Sequence, residues 1–434
     1  MSTAWDREIL RLAVPALGAL AAEPLYVLAD TAIVGRLGTP ELAGLGVATT
    51  LILSGYALFI FLAYGTTGTV ARLLGAGRRG DAAAQGVQGL WLAAGIGVAI
   101  AGLGLVLADP LVRAMGAGGE VREHALTYFR ISMAGAPALT IVLAGTGYLR
   151  GLQDTRTPLL VALTTALGNV VLELWLVFGL DWGIAGSAWS TVAMQSCAAL
   201  AYLSVITRDV RRAGVPVRPD RRALVALSRL SIDLLLRTAA LRTSLLVATA
   251  VATRIGTTEV AAHQVVFEVW SFLALVLDSI AIAAQAMVGR LLGSGDAEGA
   301  RAATARMLQW GVAAGTVFLV ALLALRTVLP GVFTDDPAVV SLAAFLLVHA
   351  AVLQPVNGVV FALDGILIGA GDLRFLAWAM AGAALVFVPM ALGVLRLDLG
   401  IGWLWAAFGV LQVARLGALL ARWRGDRWMV LGAA

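Results

Sequence analysis

The sequence is poor in charged residues. Of its 434 residues, 13% are charged and 60% are hydrophobic, whereas a typical soluble domain is about 25% charged. A soluble chain of this composition would expose large apolar patches and aggregate. We therefore predict an all-α polytopic membrane protein.

Cysteine and lysine are also scarce. The single cysteine, Cys197, excludes an intramolecular disulfide and a cysteine-based metal cluster. All 31 basic residues are arginine, and the net charge of +5 could suggest a nucleic-acid partner. The arginines fall in short gaps between apolar runs, however, which indicates membrane topology and no nucleic-acid binding.

Motifs for common enzyme classes are missing. The chain has no G-x-x-x-x-G-K-[ST], H-E-x-x-H or G-x-S-x-G pattern. Residues 75–80, GAGRRG, match a dinucleotide-binding pattern but follow an apolar run rather than a strand. The loops are too short to build a membrane-embedded lipid enzyme. We predict a protein that is not an enzyme and has neither a cofactor nor a resident metal.

Apolar runs of ~20 residues, the length that crosses a bilayer, occur about twelve times. We call them spans 1 to 12; in span 10, Pro355, Asn357 and Gly358 interrupt the run. The spans are Ile9–Gly35, Leu42–Val70, Gly86–Leu107, Ala125–Leu149, Pro158–Leu180, Ala185–Ile206, Leu230–Arg254, Val260–Val288, Ala302–Leu325, Ala338–Ile368, Phe375–Leu395 and Ile401–Arg422.

The arginines predict the topology. They concentrate in alternate gaps, most densely in residues 208–229, RDVRRAGVPVRPDRRALVALSR. Cytoplasmic loops carry such an excess, so both termini and this connector are expected on the cytoplasmic side of a bacterial inner membrane. The connector divides the chain into an N-lobe, residues 1–207, and a C-lobe, residues 230–434.

The two lobes are repeats of each other. RLGTPELA, from Arg36, matches RIGTTEVA, from Arg254; VARLLGAG matches VGRLLGSG, and GYLRGLQDTR matches GILIGAGDLR. The paired arginines, Arg36 with Arg254 and Arg156 with Arg374, are each 218 residues apart. Because the matching gaps share the arginine excess, this is a parallel repeat with its pseudo-two-fold axis along the membrane normal.

Carboxylates inside spans are costly and usually face a cavity or a partner. Asp30 lies in span 1, Asn169 and Glu173 share a face of span 5, and Thr191 lies in span 6. Two carboxylates close together in low dielectric do not both stay ionised, so one takes up a proton or a cation such as Na⁺ settles between them. These four residues are the predicted coupling site. Pro15 and Pro24 would let span 1 bend.

The repeat assigns this site to one lobe. The counterpart of Asp30 is Ala248, and an offset of 217 between Asp181 and Asp398 makes Val386 and Met390 the counterparts of Asn169 and Glu173. The C-lobe contains other polar residues. The secondary candidates are Gln264, Glu268, Asp278 and Asp364.

Roles other than coupling are open for several polar residues of the C-lobe. We expect Asp364 to pair with an arginine and Asp233 with Arg237, four residues later. His263 is expected to be an interfacial histidine near the outer surface.

Four stretches of the chain are informative when taken together: PLYVLADTAIVGRLGTPELAGLGV, NVVLELWLVFGLDWGIAGSAWSTV, LLRTAALRTS and LDGILIGAGDLR. They resemble the multidrug and toxic compound extrusion (MATE) family and are similar to its DinF-like branch. The resemblance spans the chain. It implies a V-shaped transporter with a cation site at Asp30, Asn169, Glu173 and Thr191. The branch often has aspartate where this chain has Glu173, which leaves H⁺ and Na⁺ both open.

The resemblance implies antiport. Small organic compounds, cations among them, would leave the cell in exchange for H⁺ or Na⁺. The resemblance also implies that the lobes rock and that span 1 bends near Pro15. The alternatives are a flippase of a lipid-linked precursor and an exporter of one organic acid or metabolite. The partners expected are substrates and membrane lipids, with a monomeric chain.

Overall fold

The computed structural model describes the backbone of residues 2–432 and the side chains of residues 4–56 and 59–432. Within this range the chain is helical and contains no β-strand, which confirms the predicted fold class. The helices are α1 Ser2–Val34, α2 Thr39–Tyr56, α3 Phe61–Gly75, α4 Arg79–Ala114, α5 Gly119–Ala134, α6 Ala136–Gly151, α7 Arg156–Leu174, α8 Gly183–Ala213, α9 Arg221–Ile255, α10 Thr257–Gly293, α11 Ala297–Leu325, α12 Pro337–Gly369, α13 Leu373–Arg396 and α14 Gly400–Arg424.

Eleven helices of the described range are long and apolar enough to cross a membrane, or twelve if one bent pair counts as a span. That pair is α5 and α6, which meet at 50° and together form predicted span 4. A 3₁₀ segment, Ala57–Ile60, joins α2 to α3 within span 2. Every predicted span is thus matched by a helix or a helix pair.

The helices extend further into the polar gaps than the apolar pattern predicts. α8 continues to Ala213 and α9 begins at Arg221, so only residues 214–220 of the predicted connector are non-helical. Arginine is a good helix former, so a run of arginines does not by itself end a helix. Gly214, with φ of 65°, ends α8.

Span 10 is also more regular than the sequence indicates. α12 runs without a break through Pro355, Asn357 and Gly358. Proline within a membrane helix is tolerated because neighbouring groups satisfy the freed backbone atoms.

The chain forms two compact units. The N-terminal unit comprises residues Val14 to Ser231, and the C-terminal unit comprises the residues up to Ala13 and those from Ile232 onward. The first turns of α1 belong to the C-terminal unit. There Asp6 accepts from Arg306 at 2.6 Å and from Trp310 at 2.8 Å, and Glu8 accepts from Arg290 at 2.7 Å.

The link between α8 and α9 packs on the N-terminal unit. The Trp91 indole donates to the Val217 carbonyl at 2.9 Å. The Gln88 amide donates to the Arg218 carbonyl at 3.1 Å and accepts from the Asp220 N–H at 2.9 Å. Two side chains of α4 therefore satisfy three backbone groups of this segment, which is not helical.

The backbone shows the repeat independently of the side chains. Positive φ angles occur at Gly77 and Gly295 (73° and 79°), at Gln153 and Gly371 (67° and 76°) and at Asp181 and Asp398 (57° and 51°). These are the positions that the sequence repeat pairs. Residues with left-handed backbone thus end the corresponding helices at paired positions of the two units.

Close helix contacts are repeated as well. A Cβ added to Gly147 would lie 2.9 Å from Ala63 Cα, and one added to Gly365 would lie 2.7 Å from Ala281 Cα. Small residues allow membrane helices to approach in this way. Both units therefore contain equivalent glycine-mediated contacts, between α3 and α6 in the first and between α10 and α12 in the second.

Replacing Gly365 with alanine should lower the free energy of unfolding by about 1–3 kcal/mol, because the added methyl meets backbone that cannot turn away. Thermal unfolding in detergent measures the effect. Gly382→Ala is the matched control, since a Cβ there has no neighbour within 4 Å. Equal melting temperatures for the two variants would contradict the predicted contact.

Candidate functional site

Asp30 is the centre of the polar cluster in the N-terminal unit. It lies on α1 and is 3% exposed. Its Oδ1 accepts a hydrogen bond from the Ser187 hydroxyl of α8, and its Oδ2 accepts from the Tyr128 hydroxyl of α5 at 3.3 Å. Two hydroxyl groups thus solvate this carboxyl in place of water, and no arginine among the described side chains is bonded to it.

Glu173 is the second carboxyl of the cluster. It lies on α7 and is fully buried, two residues before a π-helical segment, Trp175–Gly179. Such segments are frequent at functional sites. The Glu173 carboxyl is close enough to interact with Asp30 and Ser187. Even so, neither of its oxygens has a partner of acceptable hydrogen-bond geometry among the described residues.

Asn169 and Thr191 complete the group predicted from the sequence. The Asn169 amide donates to Thr191 Oγ1 at 3.2 Å, joining α7 to α8. Its carbonyl oxygen, Oδ1, is buried and has no hydrogen-bond partner in the part of the chain that the structure describes. Thr191 also interacts with Tyr128, which bonds Asp30. The structure therefore brings all four predicted residues into one network.

The network has a surplus of oxygen atoms and a shortage of donors. Three buried oxygens, two on Glu173 and one on Asn169, have no donor within the described chain. A buried acceptor without a donor costs free energy. A proton shared by the two carboxyls would give Glu173 a hydrogen-bond partner, and a hard cation such as Na⁺, which binds oxygen ligands, would satisfy all three oxygens. The residues present fit both ions.

The two proposed hinge residues lie inside α1. Both Pro15 and Pro24 fall within the continuous helix Ser2–Val34. Each removes a backbone hydrogen bond from the helix ladder. Their role in bending stays a prediction.

Two of the secondary candidates of the C-terminal unit form a local surface pair. Gln264 donates to Glu268 at 2.8 Å, and both side chains are exposed. They lie one turn apart on α10. The two side chains are hydrogen-bonded to each other, and among the described residues they do not form part of a larger acidic cluster.

Asp364 is held in a buried ion-pair network. Its Oδ2 accepts from Arg237 of α9 at 2.5 Å and from Arg415 of α14 at 2.6 Å. Arg415 also donates to Gln412 at 2.8 Å and interacts with Asp278. The expected arginine partner of Asp364 is therefore present twice, and Arg237, which we expected to pair with Asp233, reaches Asp364.

His263 is not interfacial as expected. It is 4% exposed and lies among aromatic rings, 5.9 Å from Phe267 and 5.7 Å from Trp405 between centroids. The prediction was wrong because it used the position of His263 near the start of α10. Burial there comes from α14, which the local sequence does not reveal.

Two residues of the cluster, Tyr128 and Ser187, were not predicted from the sequence. Ser187 precedes Thr191 by four residues, so helical spacing could have placed both on one face of α8. No comparable signal identifies Tyr128, because nothing in the sequence indicates that its helix packs beside span 1.

A protein-family comparison covers most of the chain. The family model described as MatE matches residues 15–175 and 235–392. Among curated relatives, the Arabidopsis thaliana protein DETOXIFICATION 44, chloroplastic, is 32% identical, over 98% of this chain and 84% of its own length. DNA damage-inducible protein F of Escherichia coli K12 is 31% identical, over 97% of this chain and 93% of its own length.

Solved structures of similar fold include two prokaryotic transporters. A Vibrio cholerae MATE transporter mutant has a TM-score of 0.88 at 19% identity, with 99% of each chain covered. A MOP superfamily transporter from Pyrococcus furiosus has a TM-score of 0.87 at 23% identity, over 97% of this chain and 96% of that one. At these identities the likeness shows the fold alone.

A shared proton at the Asp30–Glu173 pair should make the pair reactive toward dicyclohexylcarbodiimide, an apolar reagent that modifies protonated carboxyls. We expect labelling of Asp30 or Glu173 that falls as the pH rises, because deprotonation removes the reactive form. Peptide mass spectrometry after labelling measures it. Asp364, ion-paired with two arginines, is the internal control and should stay unmodified. Equal labelling of Asp364 and the pair would contradict this assignment.

Proposed function

Because the chain belongs to the MatE family of membrane transporters and is not an enzyme, we propose that it exports small organic compounds by antiport with H⁺ or Na⁺. Asp30 and Glu173 are the coupling groups in this proposal. Asn169 and Thr191 supply further oxygens, and Tyr128 and Ser187 orient the Asp30 carboxyl.

One observation carries the proposal. Two carboxyls are buried together, one bonded only by hydroxyls and the other without a donor, within the described N-terminal unit. A structural role would favour an arginine partner, as Asp364 has, since a buried unpaired charge is costly. The free energy of this arrangement is recovered only when a cation or proton arrives, which is what a coupling site requires.

The transport cycle follows from this dependence. H⁺ or Na⁺ enters from the outside, neutralises the Asp30–Glu173 pair and favours substrate release. The units then change to the inward-facing arrangement, where the ion leaves and substrate binds. One charge that crosses 100 mV supplies ~2.3 kcal/mol, and a proton gradient adds to it.

The two alternatives are an exporter of one organic acid and a flippase of a lipid-linked precursor. Either would use arginines to hold an anionic group. The two buried arginines of the C-terminal unit, Arg237 and Arg415, are both bound to Asp364, which speaks against an anion site at these two residues. Organic compounds, cations among them, therefore remain the first choice, with a monomeric chain in the lipid bilayer.

We further propose that the chain lies in a bacterial inner membrane with both termini in the cytoplasm. The basis is the arginine excess in alternate gaps. Residues 208–229 would then face the cytoplasm, and residues 334–337 the outside.

Asp30→Asn should abolish the dependence of transport on the coupling gradient, because the amide cannot take up or release a proton. Proteoliposomes loaded with ethidium, with a proton or a sodium gradient imposed separately, measure the rate. We expect at least a tenfold loss of gradient-driven efflux. The gradient that drives the wild type identifies the ion.

The control for this experiment is Glu123→Gln, which removes an exposed acidic charge of α5 in the same unit. It should transport at the wild-type rate. Gradient-driven efflux by Asp30→Asn at the wild-type rate would refute Asp30 as a coupling group. If wild-type ethidium efflux is absent but organic acids move, the first alternative takes its place.

The proposed orientation is testable with single cysteines. Starting from Cys197→Ser, we would introduce Val217→Cys in the connector and, separately, Asp335→Cys, both exposed sites. An impermeant maleimide added to intact spheroplasts should label Asp335→Cys and should label Val217→Cys only after lysis. The reverse pattern would invert the topology.

A further inference from the structure

The C-terminal unit contains a small aromatic pocket at the position where the N-terminal unit has its acidic cluster. We name it the aromatic pocket. A cavity of about 10 Å³, within about 260 Å³ of partly open free space, lies between the rings of His263, Phe267, Trp405 and Phe408. Ala248 and Leu404 close its remaining walls.

The repeat relates this pocket to the coupling site residue by residue. Ala248 is the counterpart of Asp30 at an offset of 218. At the offset of 217 that relates α8 to α14, Leu404 is the counterpart of Ser187 and Phe408 of Thr191. The aromatic pocket thus lies at the positions of the C-terminal unit that are equivalent to the polar cluster of the N-terminal unit.

The aromatic rings form a closed circuit. His263, Phe267, Trp270, Phe408 and Trp405 follow one another with ring centroids 5.7 to 5.9 Å apart, and Trp405 returns to His263. These separations are typical of favourable aromatic pairs. The circuit holds the pocket walls in fixed orientations, so a flat apolar group entering it would find faces and edges already in place.

Two buried nitrogen atoms of the pocket side chains lack partners. Neither His263 Nδ1 nor Trp405 Nε1 has a hydrogen-bond partner among the described residues. The side chains are 4% and 3% exposed. Unpaired buried polar atoms are uncommon and call for an explanation.

The hydrogen bonds of His263 indicate which role each nitrogen has. When the Thr249 hydroxyl donates its single hydrogen to the Leu245 carbonyl, 3.2 Å away, its oxygen accepts from His263 Nε2 at 3.3 Å. In this arrangement Nε2 carries the hydrogen of a neutral ring, and Nδ1 is an acceptor. Trp405 Nε1–H is a donor only.

One unpaired donor and one unpaired acceptor match a hydroxyl group, which accepts and donates at the same oxygen. The cavity is of a size that holds one oxygen atom. None of the described lining residues is acidic, so the pocket offers no charge for a cationic head group. The surrounding rings favour an aromatic body behind the hydroxyl.

We propose that the aromatic pocket is a binding site for the hydroxyl end of a neutral hydroxyaromatic compound. Its hydroxyl accepts from Trp405 Nε1–H and donates to His263 Nδ1, and its ring extends along Phe267 and Phe408 into the free space. This inference goes beyond the proposed function, because it concerns equilibrium binding in the C-terminal unit and requires no gradient.

The test uses the full chain in lipid nanodiscs, with empty nanodiscs as the blank. Saturable binding of 2-naphthol is measured by equilibrium dialysis and compared with 2-methoxynaphthalene. The methyl ether keeps the ring and can accept from Trp405 but cannot donate to His263. We expect the ether to bind about 3- to 10-fold more weakly, the effect of one hydrogen bond.

Two variants locate the site. Ala248→Val fills the cavity and should reduce 2-naphthol binding at least tenfold, whereas Ala250→Val adds the same volume on the exposed face of α9 and should leave it unchanged. Trp405→Phe keeps a ring and removes the donor. It should weaken 2-naphthol binding about 3- to 10-fold, and it keeps the test decisive if Ala248→Val fails to fold.

Three results would overturn the proposal. They are no saturable 2-naphthol binding by the wild type, equal binding of the two naphthalenes, and 2-naphthol binding by folded Ala248→Val at the wild-type level. The first would mean that the cavity holds water only. Because no gradient is applied, none of them bears on ethidium antiport, and failure of the Asp30→Asn experiment would leave the pocket result intact.

Discussion

The burial of two carboxyls in one unit is the constraint on which the proposed function depends. Asp30 is bonded by two hydroxyls, and Glu173 has no donor within the described chain. Hydroxyls lower the cost of a buried carboxylate without cancelling its charge, so the pair remains responsive to an incoming proton or cation. An arginine in their place would neutralise the pair permanently. The absence of such a partner at these two carboxyls is therefore more informative than their burial alone.

The C-terminal unit shows the opposite solution with the same residue type. Asp364 is also buried in a membrane helix, but two arginines from different helices bind one of its oxygens. Removing Asp364 would take this carboxylate away from two buried arginines, which makes the network costly to disturb. The contrast separates two uses of an intramembrane carboxylate within one chain. Asp364 connects α9, α12 and α14, whereas Asp30 and Glu173 are the coupling groups of the proposed function.

Much of the fold could be predicted because its signals are local. Apolar length gave the spans, and the arginine positions and the repeat divided them into two halves. Asp30, Asn169, Glu173 and Thr191 were identifiable because polar residues are costly in the membrane. Contacts between distant helices were not predictable in this way. Tyr128 and the burial of His263 depend on which helix packs beside them, and the helical ends of the connector depend on arginine's helix propensity within a charged stretch.

The two units share their backbone contacts but differ at positions that are lined by side chains. Gly147 and Gly365 each meet backbone of a neighbouring helix, and a backbone atom cannot be exchanged by substitution. A change at either glycine would push two helices apart, so both copies retain it. The pocket positions are lined by side chains instead. There Asp30 in one unit and Ala248 in the other can face similar helices without moving them. A duplicated fold of this kind can acquire an ion site in one copy and an aromatic pocket in the other while its helix contacts stay the same.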